Sequence, residues 1–192
     1  MSTIAVIVGN PKPRSRTRQI AEELAQRIAA QTGADPLPTV DLIDHAPHLF
    51  EWPSAALDPL LDELRGARYA VIASPTYKAS YTGLLKAFLD RYPARALAGV
   101  TAVPLFTTAS AEHALAVEVT LRPLLVELGA SVPTRGLAFQ IPKFDRRDEV
   151  LDEWLASEGG LLGGAGAASI AVLGAALGAA SGAASIADGA RA

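Results

Sequence analysis

Cysteine is absent from all 192 residues, which removes disulfides, thiol nucleophiles and thiolate metal sites together. Histidine is scarce too, and His45, His48 and His113 are the three imidazoles available to a metal. His45 and His48 share a Pro-flanked loop with Asp44, a setting that reads as polar surface, so no metal is expected. Neither sign of charge dominates: 17 basic against 20 acidic residues leave a net charge of −3, with the two signs interspersed. That balance provides no basic stripe for a nucleic-acid backbone and no polyanionic tail, and no nucleic-acid partner is expected. The first residues run into an apolar segment without the basic region and apolar core of a signal peptide, so a cytoplasmic location is expected. Clustered carboxylates or histidines that would mark acid–base chemistry are missing as well, and no catalytic side chain is assigned.

What the chain does have is apolar content, half of its residues, enough for a sizeable core. Strand-like apolar runs recur over residues 4–8, 39–43, 69–74, 101–106 and 134–139. Segments of helical periodicity fill the gaps, over residues 17–30, 56–66, 83–92 and 111–128. Near-continuous apolar strands alternating with helices predict an α/β fold, a five-stranded parallel sheet buried on both faces in a doubly wound three-layer sandwich. Ligands in such sheets bind beyond the carboxyl ends of the strands.

Three of those ends carry informative loops. The first strand leads into Gly9-Asn10-Pro11-Lys12-Pro13-Arg14-Ser15-Arg16-Thr17 and then a helix. Backbone N–H groups at a helix start lack intrahelical acceptors and sit at the positive end of the dipole, so such a loop suits a phosphate. Ser15 and Thr17 add hydroxyls, and Arg14 or Arg16 adds charge. The loop is neither a Walker sequence nor a GxGxxG fingerprint, which favours a single terminal phosphate; an ordinary capped helix start is the competing reading. The third strand ends in Pro75-Thr76-Tyr77-Lys78-Ala79-Ser80-Tyr81, and Tyr77 and Tyr81 offer flat faces to a ligand or cap the core. The fourth ends in Thr107-Thr108-Ala109-Ser110, small residues that let backbone approach a ring closely or cap a helix. Together at one sheet edge, the three loops describe a cleft for a ring and a phosphate. His113, just beyond, reads either as a neighbour of that cleft or as a polar residue in a first helical turn.

The blocks GNPKPRSRT, SPTYKASYTGLLKAFLD and PLFTTASAEHALAVEVTLRPLLVELGA resemble the NAD(P)H-dependent FMN reductase family, and within it the small reductases that supply reduced FMN to sulfonate monooxygenases. The similarity runs over residues 3–139. It implies a flavodoxin-like fold of strand order 2-1-3-4-5, FMN and NADPH or NADH as cofactors, assembly into homodimers or homotetramers, and a flavin-dependent monooxygenase as partner. Carried onto this sequence, it places Ser15, Arg16 and Thr17 at the FMN phosphate, with Asn10 and Pro11 shaping the turn. Pro75, Thr76, Tyr77 and Lys78 would follow the ribityl chain and ring edge, and Thr107, Thr108, Ala109 and Ser110 would close the other side. Val119 stands where some members carry an inserted tyrosine in a helix bulge, so the oligomer and flavin-exchange behaviour tied to that tyrosine is not carried over. Two other functions use the same cleft: a quinone, azo-compound or chromate reductase holding FMN permanently, and a flavodoxin-type electron carrier. The loop lacks the carrier's Thr/Ser-rich phosphate signature.

Residues 159–187 contain no charge and are mostly Ala and Gly. Large apolar side chains are few and no basic cluster flanks them, so a membrane span is not expected. The domain reading is a flavodoxin-like reductase domain over 1–158 and an Ala/Gly-rich tail over 159–192, either flexible or a small-residue helix.

Overall fold

The computed structural model describes residues 1–164. A parallel sheet at its centre follows the order β2-β1-β4-β5-β6, with β3 also paired to β1. The strands are β1 (Thr3–Val8), β2 (Asp35–Pro36), β3 (Val40–Asp41), β4 (Tyr69–Pro75), β5 (Thr101–Thr108) and β6 (Leu137–Gln140). Because β2 and β3 occupy one edge in succession, the arrangement is the expected 2-1-3-4-5 sheet with its outer strand broken in two.

Alternation within each strand builds two cores. Ala5 and Ile7 face one side with Ala70, Ile72, Ala102 and Phe106, while Ile4, Val6 and Val8 face the other with Val71, Ala73, Val103 and Leu105. The first side is covered by α2 (Asp58–Gly66) and α3 (Gly83–Leu89) through Leu61, Leu64, Leu85 and Phe88. The second is covered by α1 (Arg16–Thr32), whose Ile20, Leu24 and Ile28 recur at helical spacing. Gly33, at φ 71°, ends α1 in the left-handed conformation that glycine adopts without strain.

Several expected boundaries move for local reasons. The run expected as one strand over 39–43 keeps just Val40–Asp41, after which Leu42–His48 tightens into a 3-10 helix. Pairing with β1 begins earlier than expected, where Asp35 N donates to Ser2 O and Leu37 N to Ile4 O; Pro36 and Pro38 hide that stretch from a propensity reading. The expected helix over 83–92 stops at Leu89, ahead of Pro93. The single helix expected over 111–128 is three pieces: a 3-10 turn (Ala111–His113), a π-helical turn (Val117–Leu121) and α4 (Arg122–Glu127). A bulge is therefore present at Val119 without a tyrosine. Glu118 fixes it, accepting from Arg122 Nε and from the backbone N–H of Gly136.

The last strand starts at Leu137, later than expected, and its place depends on a proline. Ala102 N donates to Ser131 O, so the nitrogen of Pro104, two residues along β5, faces the same side. It falls in the gap before β6 pairs at Leu105↔Leu137, where no donor is required. Beyond β6 come a 3-10 helix (Ile141–Arg146), α5 (Arg147–Glu158) and a short α6 (Gly160–Gly164). Leu151, Trp154 and Leu162 pack into the core on the α1 side, so packing continues past residue 158. The tail reading from residue 165 onward lies outside the described residues. Among those described, no helix is long and apolar enough to cross a membrane.

Candidate active site

Register brings four strand ends to one level. Val8 pairs Ala73, Pro75 pairs Thr107 and Thr108 pairs Gln140, so the segments that follow emerge side by side at the carboxyl edge. Between them opens a cleft of about 610 Å³ lined by Asn10, Ser15, Arg16, Thr17, Pro75, Thr76, Tyr77, Thr107, Thr108 and Ala109, as expected from sequence, together with Lys12, Ile141 and Pro142. Lys12 belongs to the expected loop. Ile141 and Pro142 carry no polar signal and enter because β6 delivers them to the same edge.

Three expected residues stand outside the lining. Pro11 shapes the loop behind Asn10, Lys78 sits in a turn tip, and Ser110 precedes the 3-10 turn at Ala111. Of the two tyrosines, Tyr77 lines the cleft, whereas Tyr81 packs against the core on the α3 side. His113 is exposed and does not line the cleft.

The loop after β1 is held by a chain of short bonds. Asn10 Nδ2 donates to Thr17 Oγ1 at 2.8 Å, and Thr17 Oγ1 meets Thr107 Oγ1 at 2.7 Å. The backbone N–H of Lys12 donates to Asn10 Oδ1, closing an Asx turn. One proton of the Thr17–Thr107 pair is spent between them, which leaves the pair a single hydroxyl proton for anything else. Ser15 caps α1, its Oγ accepting from Arg18 N at 3.2 Å, and keeps its own proton free. The N–H groups of Arg16 and Thr17 lie in the first helical turn and have no intrahelical acceptor. Gly9 joins this loop to the next: its N–H donates to Ala73 O and its carbonyl accepts from Thr82 Oγ1 at 2.6 Å. A Cβ on Gly9 would come within 2.5 Å of Leu85 Cβ, so glycine is what lets α3 approach.

Beneath the loop lies Asp41, buried at the end of β3 opposite Val8. Burial pushes its carboxyl above the ordinary range, against the pull of the Arg18 guanidinium 3.6 Å away.

The loop after β4 folds back as a two-residue hairpin. Tyr77 N donates to Ser80 O and Ser80 N to Tyr77 O, with Lys78 and Ala79 at φ 52° and 61°. Positive φ at both central residues is the type I′ pattern, which residues other than Gly and Asn adopt at a cost of about 1 kcal/mol each. The two backbone bonds between Tyr77 and Ser80 hold this strained turn in place beside the cleft that Tyr77 lines.

Two hydroxyls of the cleft, Thr76 Oγ1 and Thr108 Oγ1, are buried and have no hydrogen-bond partner among the described residues. Unpaired buried hydroxyls cost about 1–3 kcal/mol, so the site fits a polar ring whose edge would pair them. Among the described residues, a cation without a carboxylate partner and helix-start donors stand at one end, and unpaired hydroxyls and small residues at the other, which fits a phosphate and a flavin in that order.

This sheet, with the cleft at its carboxyl edge, defines a flavodoxin-like α/β protein. The chain belongs to the NADPH-dependent FMN reductase family, which it matches over residues 2–143. It is 32% identical over 138 residues, 70% of this chain and 71% of the relative, to an Escherichia coli K12 protein named FMN reductase (NADPH). It is 29% identical over 148 residues, 74% of this chain and 80% of the relative, to the NADH-dependent FMN reductase SfnF of Pseudomonas putida. Among solved structures, an NADH:FMN oxidoreductase (EmoB) in its apo form superposes with a TM-score of 0.69 at 30% identity, covering 82% of this chain and 90% of that one. An oxidoreductase of Corynebacterium diphtheriae gives 0.69 at 31% identity, covering 80% and 92%. The activity class follows: NAD(P)H-dependent reduction of FMN.

Proposed function

We propose that the cleft binds FMN with its phosphate at the start of α1 and its ring between the loops after β4 and β5. The observation that carries this reading is the contrast within one cleft between helix-start donors beside Arg16, which has no acidic partner among the described residues, and the hydroxyls of Thr76 and Thr108, which have no partner among them either. Ser15, Arg16 and the backbone of Thr17 hold the phosphate, while Asn10 and Pro11 shape their loop. Pro75, Thr76 and Tyr77 line one side of the ring, with Thr107, Thr108 and Ala109 on the other. Bound FMN supplies the hydride-accepting chemistry, and the protein's part is orientation and fixed dipoles. The N–H groups of Thr76, Tyr77 and Ser80 are bonded within the protein, so fixed dipoles for negative charge as it develops would come from the hairpin tip beyond Tyr77 and from the segment after Thr108, on the logic of an oxyanion hole.

The finer reading is that reduced FMN leaves for a flavin-dependent monooxygenase and that the protein works as a homo-oligomer. The resemblance of the loop after β4 supports the first. For the second, Val119 and Val126 on the π-helical and α4 segment and Leu115 in the turn before it, 66%, 55% and 72% exposed, suit a contact between copies.

Initial rates with NADPH and NADH against FMN test the enzyme reading. Flavin-dependent oxidation is expected, and none at saturating nucleotide and flavin would overturn it. Flavin content after gel filtration tests delivery: colourless protein active with free FMN is expected, and retained yellow colour would instead favour a reductase with resident flavin.

A further inference from the structure

Arg16 is the cleft's arginine, yet no carboxylate or carbonyl among the described residues pairs with it. What it does meet is an aromatic ring: its guanidinium carbon lies 5.3 Å from the centroid of Phe144. The same ring is approached by Arg147, at 5.1 Å. The two arginines are not equivalent. Arg147 is neutralised by Glu23 on α1, with Nε to Oε1 at 2.9 Å, so its charge is spent and its position fixed. Arg16 keeps its charge and its N–H donors.

Phe144 belongs to the 3-10 helix whose first residues, Ile141 and Pro142, line the cleft, and its ring is partly buried against the α1-side core. The family match ends at residue 143, one position before it. We propose that Phe144 is a positioning residue for phosphate recognition: it parks the Arg16 guanidinium at the cleft and so gives the site its preference for FMN over riboflavin. This rests on the reading of the cleft as an FMN site.

A free arginine side chain has about 2 kcal/mol of rotamer entropy to lose when it grips a ligand. Holding it against a ring removes part of that freedom before the ligand arrives. Attraction to a ring quadrupole commits none of the five N–H donors, so all remain for phosphate oxygens. A carboxylate in the ring's place would hold Arg16 as well but would occupy those donors and repel the phosphate. The Glu23–Arg147 pair holds a second guanidinium beside the ring and ties the start of α5 to α1.

The test is flavin titration, by fluorescence quenching, of the full chain with FMN and with riboflavin. Phe144→Leu keeps apolar packing and removes the ring. Its FMN dissociation constant is expected to rise about two- to fivefold, the worth of an exposed cation–π contact, with riboflavin unchanged. Phe144→Tyr is expected to restore the FMN value. In an Arg16→Ala background, Phe144→Leu should add nothing, because the ring acts through the arginine. Equal loss for both flavins, an unchanged FMN constant, or a loss that persists without Arg16 would each overturn the proposal. If Phe144→Leu fails to fold, Phe144→Met reads the same quantities with an unbranched side chain. A wild-type chain that binds both flavins equally would instead overturn the phosphate reading of the cleft, and this proposal with it.

Discussion

The two ends of the cleft are built on opposite plans. At the phosphate end the hydroxyl and amide side chains are satisfied within the protein: Asn10 bonds Thr17, Thr17 bonds Thr107 at the ring's edge, and Ser15 caps its helix. At the ring end Thr76 and Thr108 are buried with nothing to bond. The scaffold of the first end is fixed by these bonds and leaves the helix-start N–H groups and Arg16 to the ligand, whereas at the second end the buried hydroxyls themselves wait for a partner. An anchor gains from rigidity, since its partner is a compact charged group of fixed geometry. A ring edge with several donors and acceptors is better met by groups that have no competing bond to break.

That contrast can be broken by substitution. The largest effect is expected from Arg16→Ala, which removes charged donors from the anchor. FMN affinity should fall by about ten- to a hundredfold while riboflavin binding is nearly unchanged, as read by parallel fluorescence titrations. Equal losses would make Arg16 structural. A matched pair comes next. Thr17→Val strands Asn10 Nδ2 and Thr107 Oγ1, and should cost about 1–3 kcal/mol in urea unfolding of the ligand-free protein. Thr108→Val removes a hydroxyl that bonds to nothing, so the ligand-free protein should keep its stability within about 0.5 kcal/mol while FMN affinity falls. If both destabilise alike, the two ends do not differ.

Gly9→Ala probes the junction. Its Cβ would press on Leu85, and a cost of about 1–3 kcal/mol with weaker FMN binding is expected in the same assays. The smallest effect lies away from the cleft, at Glu118. The bond from Arg122 holds its carboxylate below the ordinary value of 4.5, so its contribution to stability is complete above that pH and is lost as pH falls through the lowered folded value. Glu118→Gln should flatten the acid limb of the stability curve by less than about 1 kcal/mol, measured by urea unfolding at a series of acidic pH values.

Much of this was readable in the sequence because local and global signals agree. Ser15 before an apolar 3.6 period announces α1, and uninterrupted apolar runs announce β1, β4 and β5. Thr82 ahead of Gly83-Leu84-Leu85 announces α3 in the same way, its Oγ1 accepting from Leu85 N. What stayed hidden depends on partners distant in sequence. Ile141 and Pro142 line the cleft because β6 ends beside Thr108, and nothing in their own residue types says so. The π-helical turn is set by Glu118 reaching Gly136, a contact that no helical periodicity encodes. Tyr81 and Tyr77 look alike in sequence; the hairpin at Lys78–Ala79 separates them, sending one to the cleft and leaving the other on the core.

The broken outer strand has a consequence for how the protein behaves at high concentration. Asp35 and Leu37 turn their N–H groups inward to β1, so Pro36 between them presents a ring where an outward donor would stand, and Pro38 follows at the next outward position. An open sheet edge is a template on which another chain can add a strand and begin to aggregate. Here that edge is two residues long at a stretch and its β2 half is denied outward donors by proline, so strand addition at this edge is disfavoured by the same irregularity that blurs its strand in the sequence.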